Sequence, residues 1–137
     1  MHDLEPELLP DISKRMFDML LEASPLHLKD SMAKSFEQEK QYVCNIFTLH
    51  RECFDELCKM MFKVLPEFDE SIPLDVKKTL HPRYLGYYGE RIVSCYLHAI
   101  QLDGANILHL PLLTVDADKH NEVKVDPVSG MRYEVKQ

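Results

Sequence analysis

The sequence predicts a mainly α protein with a small C-terminal antiparallel β element. The expected plan is a bundle of about four to five helices over residues 1–104, followed by a β-hairpin or three-stranded meander over 105–137. Three observations lead there. Apolar residues recur at helical spacing from residue 11 onward, no Gly or Pro interrupts Leu26–Leu65, and the last sixteen residues alternate apolar and polar around a Pro/Gly turn. Thirty-three residues of strand cannot bury a core alone, so a single domain over 1–137 is expected, with the β appendage packed on the helical body.

Asp11 follows Pro10 and precedes Ile12, Met16, Met19, Leu20 and Ala23. Asp11 is an acceptable N-cap, so residues 11–23 read as an amphipathic helix that Ser24-Pro25 ends. Ser24 can cap the next helix, with Pro25 at its first position. The breaker-free stretch that follows carries Phe36, Val43, Ile46, Phe47, Cys53, Phe54, Leu57, Met61, Val64 and Leu65 on a helical stripe, with His50 filling the step between Phe47 and Cys53. One straight helix of that length would extend about 60 Å, against a radius of gyration of about 14 Å for a domain this size. Two helices are expected instead, 26–48 and 51–65, with Pro66 closing the second. The stretch 66–73 reads as a loop, and Ser71-Ile72-Pro73 can start a short helix over 73–80.

His81-Pro82 forces a turn, because the residue before Pro avoids the helical region. Tyr84, Tyr88, Ile92, Cys95, Tyr96 and Ala99 then mark a helix face, predicted to run from 89 to 102 and to stop at Asp103-Gly104. Ile107–Val115 has strand composition, but Pro111 restricts it to an edge or to two short pieces. Val123 and Val125, then Met131, Tyr133 and Val135, alternate with polar residues around Asp126-Pro127-Val128-Ser129-Gly130, which makes this a predicted hairpin.

Composition bounds the function. Hydrophobic residues make up 45% of the 137 and charged residues 28%, enough apolar surface to exclude wholesale disorder. No apolar run is long enough to suggest a membrane span, and the acidic N-terminus lacks a signal-peptide pattern, so a cytoplasmic protein is expected. The net charge is −7, concentrated in residues 1–30 with seven acids against three bases. That balance argues against direct binding to a nucleic-acid backbone and suits a solvated surface or contact with a basic partner. The four cysteines, Cys44, Cys53, Cys58 and Cys95, contain no Cys-x-x-Cys pair and are expected to be reduced core thiols.

Most chemical motifs are missing. With only four glycines, Gly86, Gly89, Gly104 and Gly130, no Walker loop or Gly-x-Gly-x-x-Gly fingerprint can be written. His50 and Cys53 could share a helix face, but two ligands do not make a zinc site, and His50 is expected at a core boundary. Asp116–Glu122 superficially resembles a calcium loop, yet Asn121 stands where Gly is needed and Pro127 where a bidentate Glu is needed. No Gly-x-Ser-x-Gly elbow occurs. Glu52 and Glu56, four apart on a helix, are expected to face solvent. No cofactor and no metal are therefore expected.

Gly89-Glu90-Arg91-Ile92-Val93-Ser94, with Leu113-Thr114-Val115-Asp116, loosely resembles the inner part of aspartokinases, where a Gly-Glu-Arg helix start contributes to the amino-acid site. The likeness covers about a third of the chain and departs at Val93. The family's glycine-rich phosphate-binding strand–loop is absent, so no kinase is expected.

What remains is His81–Arg91, in which three of the six tyrosines and two arginines fall within nine residues. Tyr and Arg offer wide contact area with a polar end, the residue types that dominate binding hot spots. Arg83, Tyr84, Tyr87, Tyr88 and Arg91 are the candidate interaction residues. The alternative places Tyr84 and Tyr88 in the core and pairs the arginines with surface acids. The leading expectation is a small, acidic, non-enzymatic module (a regulator, inhibitor or adaptor) that binds another protein. An enzyme with a dispersed site around residues 81–91 and a helical homodimer are the alternatives. A cleft lined by Glu90, Arg91 and a histidine would favour the enzyme. Exposed apolar surface on the 26–65 region would favour the dimer.

Overall fold

The computed structural model describes residues 10–38, 42 and 46–109. Among them the order is α1 (Pro10–Ala23), a 3-10 turn (Leu26–Leu28), α2 (Lys29–Ser35), α3 (Arg51–Ser71), α4 (Leu74–Lys77) and α5 (Tyr84–Leu102). The chain divides into two units, Met1–Ala105 and Asn106–Gln137. The first holds all of these helices; of the second, residues 106–109 are described and form irregular chain. The protein is thus mainly α, with no strand among the described residues. The expected hairpin over 122–136, the calcium-like loop, Cys44 and all but the first three residues of Ile107–Val115 lie outside them.

Helix α1 forms where the periodicity places it, burying Ile12, Met16 and Leu20 at i, i+4, i+8. Pro10 is already helical, so Asp11 lies in the first turn, where its charge favours the helix dipole, rather than at a cap. Ser24 does not cap the next helix either. Its buried hydroxyl donates back to Leu20 O at 2.7 Å, and Pro25 precedes a 3-10 turn.

The expected 26–48 helix is much shorter. It is replaced by the turn Leu26–Leu28 and the seven residues of α2, and residues 46–50 are irregular. Phe36, just past α2, stacks on Phe17 of α1 with ring centroids 4.6 Å apart, a tertiary contact that local propensity does not encode. His50, expected on a core boundary, is exposed and immediately precedes α3.

Helix α3 runs through Pro66 to Ser71, six residues past the expected end. Proline there removes the hydrogen bond to Phe62 O. Phe62 is 77% exposed, so water can take up that carbonyl, while Phe68 and Ile72 are buried on the opposite side. Beyond Pro73, α4 ends at Lys77, three residues short of its expected end. Arg15 of α1 donates to Ser71 O and so satisfies a carbonyl at the end of α3.

Helix α5 starts at Tyr84, five residues before the expected 89, and takes Gly86 and Gly89 into its interior. Gly89 sits against α3: a Cβ there would lie 3.7 Å from Leu65 Cδ1 and 3.9 Å from Met61 Cε. The stop is as expected. Gly104 has φ +103°, its N–H reaches Gln101 O at 3.1 Å, and Ala105 N–H reaches Ile100 O at 2.9 Å. This is the paired 5→2 and 6→1 pattern of a Schellman cap, which requires a residue tolerant of positive φ.

Helix α5 is the hub, packing against α2 and α3, while α1 packs across α3 and touches α2. Ten of its residues are buried. They meet Met16 and Leu20 of α1, Leu28 and Met32, and Leu57, Met60, Val64 and Phe68 of α3 in one core. Met16, Met32 and Met60, three of the seven methionines, are therefore core residues.

Candidate functional site

The five candidates lie on the N-terminal half of α5 or just before it, and the structure divides them. Tyr88 is fully buried. Its ring meets Phe68 edge-on at 4.6 Å, and its hydroxyl shares a 3.2 Å hydrogen bond with Ser13 Oγ. Burial pushes the Tyr88 hydroxyl up. It is core and presents nothing to a partner.

Tyr84 is half-buried and donates its hydroxyl proton to Asp69 of α3, whose other carboxylate oxygen pairs with Lys77 of α4 at 3.0 Å. The two donors hold Asp69 below the usual carboxylate range, Tyr84 contributing most. Tyr84 itself is pushed up to about 12 by desolvation and by the adjacent carboxylate. This triad joins α3, α4 and α5 and is a structural clamp.

Arg83 is exposed, and Tyr87 is half-buried at the edge of α5. The turn at His81-Pro82 ends in a 2.9 Å bond from Tyr84 N–H to His81 O, and the Arg83 N–H donates to His81 Nδ1 at 3.1 Å. The imidazole is thereby fixed beside Tyr87, at 5.4 Å between centroids, while the Arg83 guanidinium lies 6.0 Å from the centre of the same ring. A tyrosine flanked by a histidine and an arginine forms an aromatic–cationic platform on the outside of the bundle. Gly86 beside it is exposed, with nothing within 4 Å of where a Cβ would project.

Arg91 stands two turns farther along. Its guanidinium packs over Phe17, 5.6 Å from the ring centre, and Phe17 stacks in turn on Phe36. Neither Arg83 nor Arg91 pairs with an acid among the described residues; both rest on rings. Among the described residues the expected acid partners are thus replaced by cation–π contacts.

Beside Arg91, between the end of α2 and α5, lies a small notch with room for one water-sized group, about 10 Å³, lined by Ser35, Phe36, Gln38, Arg91, Ser94, Cys95 and His98. It contains Arg91 and a histidine but not Glu90, and its size excludes an enclosed substrate. Tyr42 borders it. The Tyr42 backbone N–H donates to Ser94 Oγ at 3.0 Å, its ring lies 4.7 Å from His98, and its hydroxyl reaches Gln101 at 3.4 Å. Arg91, Ser94, His98 and Gln101 follow one another at helical spacing, a polar stripe on an apolar helix that is readable in the sequence.

A second feature gave no sequence signal. Glu56, expected to face solvent with Glu52, is half-buried and accepts a 3.0 Å hydrogen bond from the hydroxyl of fully buried Tyr96. His27 Nε2 lies 3.9 Å from its other oxygen. Glu56 also lines an open cleft of about 480 Å³ with Ala23, Pro25, Glu52, Asp55, Lys59, Met60 and Lys63. The pairing spans forty residues, a separation no spacing rule reaches.

Among the described residues, no three His, Cys, Asp or Glu side chains gather as a metal site, and no helix is long and apolar enough to cross a membrane. Cys53, Cys58 and Cys95 are free thiols, the first two half-buried and the third buried.

These features define a small helical protein built round one buried hub helix that carries a polar and aromatic edge. Residues 12–101 match the family described as "Domain of unknown function (DUF4422)", and the chain belongs to that family. The match begins in α1 and ends in the last turn of α5, so it includes the hub helix and all five candidate residues. No curated protein and no solved structure matches the chain.

Proposed function

We propose that the chain is a non-enzymatic interaction module, a regulator, inhibitor or adaptor that docks another protein through the platform at the start of α5. Arg83 and Tyr87 make the contact, with His81 holding the loop. The observation that carries this reading is the cluster of His81, Tyr87 and Arg83, with the imidazole tilted against the Tyr87 ring and the guanidinium 6.0 Å from its centre. The contact with the Tyr87 ring restrains the long Arg83 side chain before a partner arrives, which lowers the ordering cost of binding, and its N–H donors have no acceptor among the described residues. The matching surface is a carboxylate beside an apolar or aromatic patch. Tyr84 and Tyr88 support the platform from within.

The test places a photo-crosslinking amino acid at position 87 of the full chain, identifies the adduct, and reconstitutes binding with that purified protein. Arg83→Ala/Tyr87→Ala should weaken binding at least about tenfold while leaving the melting temperature unchanged. Equal binding by the variant overturns the reading.

A helical homodimer is the second reading, favoured by the exposure of Phe54 and Phe62 on one side of α3. Light scattering on the purified chain should then give twice the chain mass, and Phe62→Ser should restore the single mass. A single mass for the wild type removes this reading.

A further inference from the structure

We propose that the notch between α2 and α5 is an oxyanion-binding subsite, taking one oxygen of a small phosphate or carboxylate group with Arg91 as the charge anchor. Four observations converge. The planar guanidinium lies over the Phe17 ring, 5.6 Å from its centre, which restrains its position, and its N–H groups have no hydrogen-bond acceptor among the described residues. The fork of donors that such a plane presents matches a carboxylate or phosphate edge. The notch has about 10 Å³ of room, enough for one water or one ligand oxygen, so the remainder of the anion would stay outside against Arg91.

The wall chemistry favours an anion. In a chain of net charge −7, no carboxylate lines this notch among the described residues, and Arg91, Gln38, Ser94 and His98 bring cationic or hydrogen-bond-donating groups to it. Ser94 is the most specific of them. Ser94 is 3% exposed, and its hydroxyl oxygen accepts the Tyr42 N–H, which leaves the hydroxyl proton to donate. The buried hydroxyls of Ser24 and Ser35 instead donate back into their own helices, at Leu20 O and Met32 O. The subsite does not depend on the docking platform, whose test uses Arg83 and Tyr87.

The experiment titrates isotopically labelled full chain with inorganic phosphate and, separately, with acetate, each against sodium chloride at matched ionic strength. NMR follows the Arg91 Nε–H signal and the amides of Ser94, Cys95 and His98. A saturable shift of these signals is expected with at least one of the two anions. Saturation by phosphate alone assigns a phosphate ester as the ligand class, and saturation by acetate alone assigns a carboxylate. Gln38→Glu, a change at an exposed position, puts a competing carboxylate at the mouth and should weaken binding about tenfold. Arg91→Gln should abolish it, and Gln38→Glu carries the test if Arg91→Gln does not fold. Absence of saturation beyond chloride with both anions, or unchanged binding in Gln38→Glu, overturns the proposal.

Discussion

Tyr84→Phe removes one hydroxyl from the clamp joining α3, α4 and α5, and the structure sets both the size and the pH dependence of the loss. A hydrogen bond to an ionised acceptor contributes about 1.5–3 kcal/mol when well shielded. Asp69 keeps 34% of its side chain exposed and retains Lys77 at 3.0 Å, so water and the ammonium replace part of what is lost. Discounted for that screening, the expected cost at pH 7 is about 1 kcal/mol, or a melting point lower by about 5 °C.

The sign follows from the two shifts. Asp69 titrates below its unfolded value, so its contribution is present above about pH 4 and is lost as pH falls through the lowered folded value. Tyr84 titrates above its unfolded value of about 10, so its contribution is present below that and is lost as pH rises through about 12. The difference between wild type and Tyr84→Phe should therefore be largest on a plateau near neutrality and shrink towards both extremes. Urea unfolding at pH 3, 7 and 11 with equal m-values measures it. A difference as large at pH 3 as at pH 7 would refute the clamp as an ionic hydrogen bond and leave only a packing effect.

Other substitutions test separate parts of the fold. Tyr96→Phe removes the buried hydroxyl that holds Glu56 at 3.0 Å and should cost about 1–2 kcal/mol by chemical denaturation. Gly104→Ala forces a side chain into φ +103° and should destabilise by about 1 kcal/mol, whereas Gly86→Ala, in open space inside a helix, should stabilise by about 0.5–1 kcal/mol. Burial pushes the Cys95 thiol up, so native protein at pH 7 should show Cys95 resistant to a thiol-labelling reagent and accessible only after denaturation, as mass spectrometry of the labelled peptides would show.

The parts legible in the sequence are those fixed by short-range rules. Helix α1 follows from apolar spacing alone, and the end of α5 follows from a glycine that can take positive φ. The turn at His81-Pro82 follows from the steric demand of proline. Where long-range contact competes with local preference, the reading diverges. Nothing in residues 36–50 forbids a helix, yet Phe36 finds Phe17 and Tyr42 finds Ser94 and His98, all distant in sequence. Pro66 and the two glycines of α5 are breakers by composition, but the apolar residues around them gain more from burial than the helix loses locally. Within the candidate site, the half-buried position of Tyr87 and the fully buried position of Tyr88 depend on which face of α5 meets α3. Residues within one turn do not announce that choice.

The two surfaces argued for α5 share a rigid support but not their anchoring. Tyr88, Ile92, Tyr96 and Ala99 are fully buried, so the hub helix has little freedom to tilt or slide. Side chains on its edge are therefore held by a stable element, the arrangement that positions binding groups more finely than a loop can. Arg83 is oriented by Tyr87 and the His81 turn, and Arg91 by Phe17 of another helix. Eight residues of helix separate the two arginines by about 12 Å, beyond the distance over which substitutions usually couple. A loss of docking in Arg83→Ala should leave anion binding intact, and Gln38→Glu should leave docking intact. If either change disabled both, the two functions would belong to one continuous surface along α5, with the oxyanion as part of the docked partner.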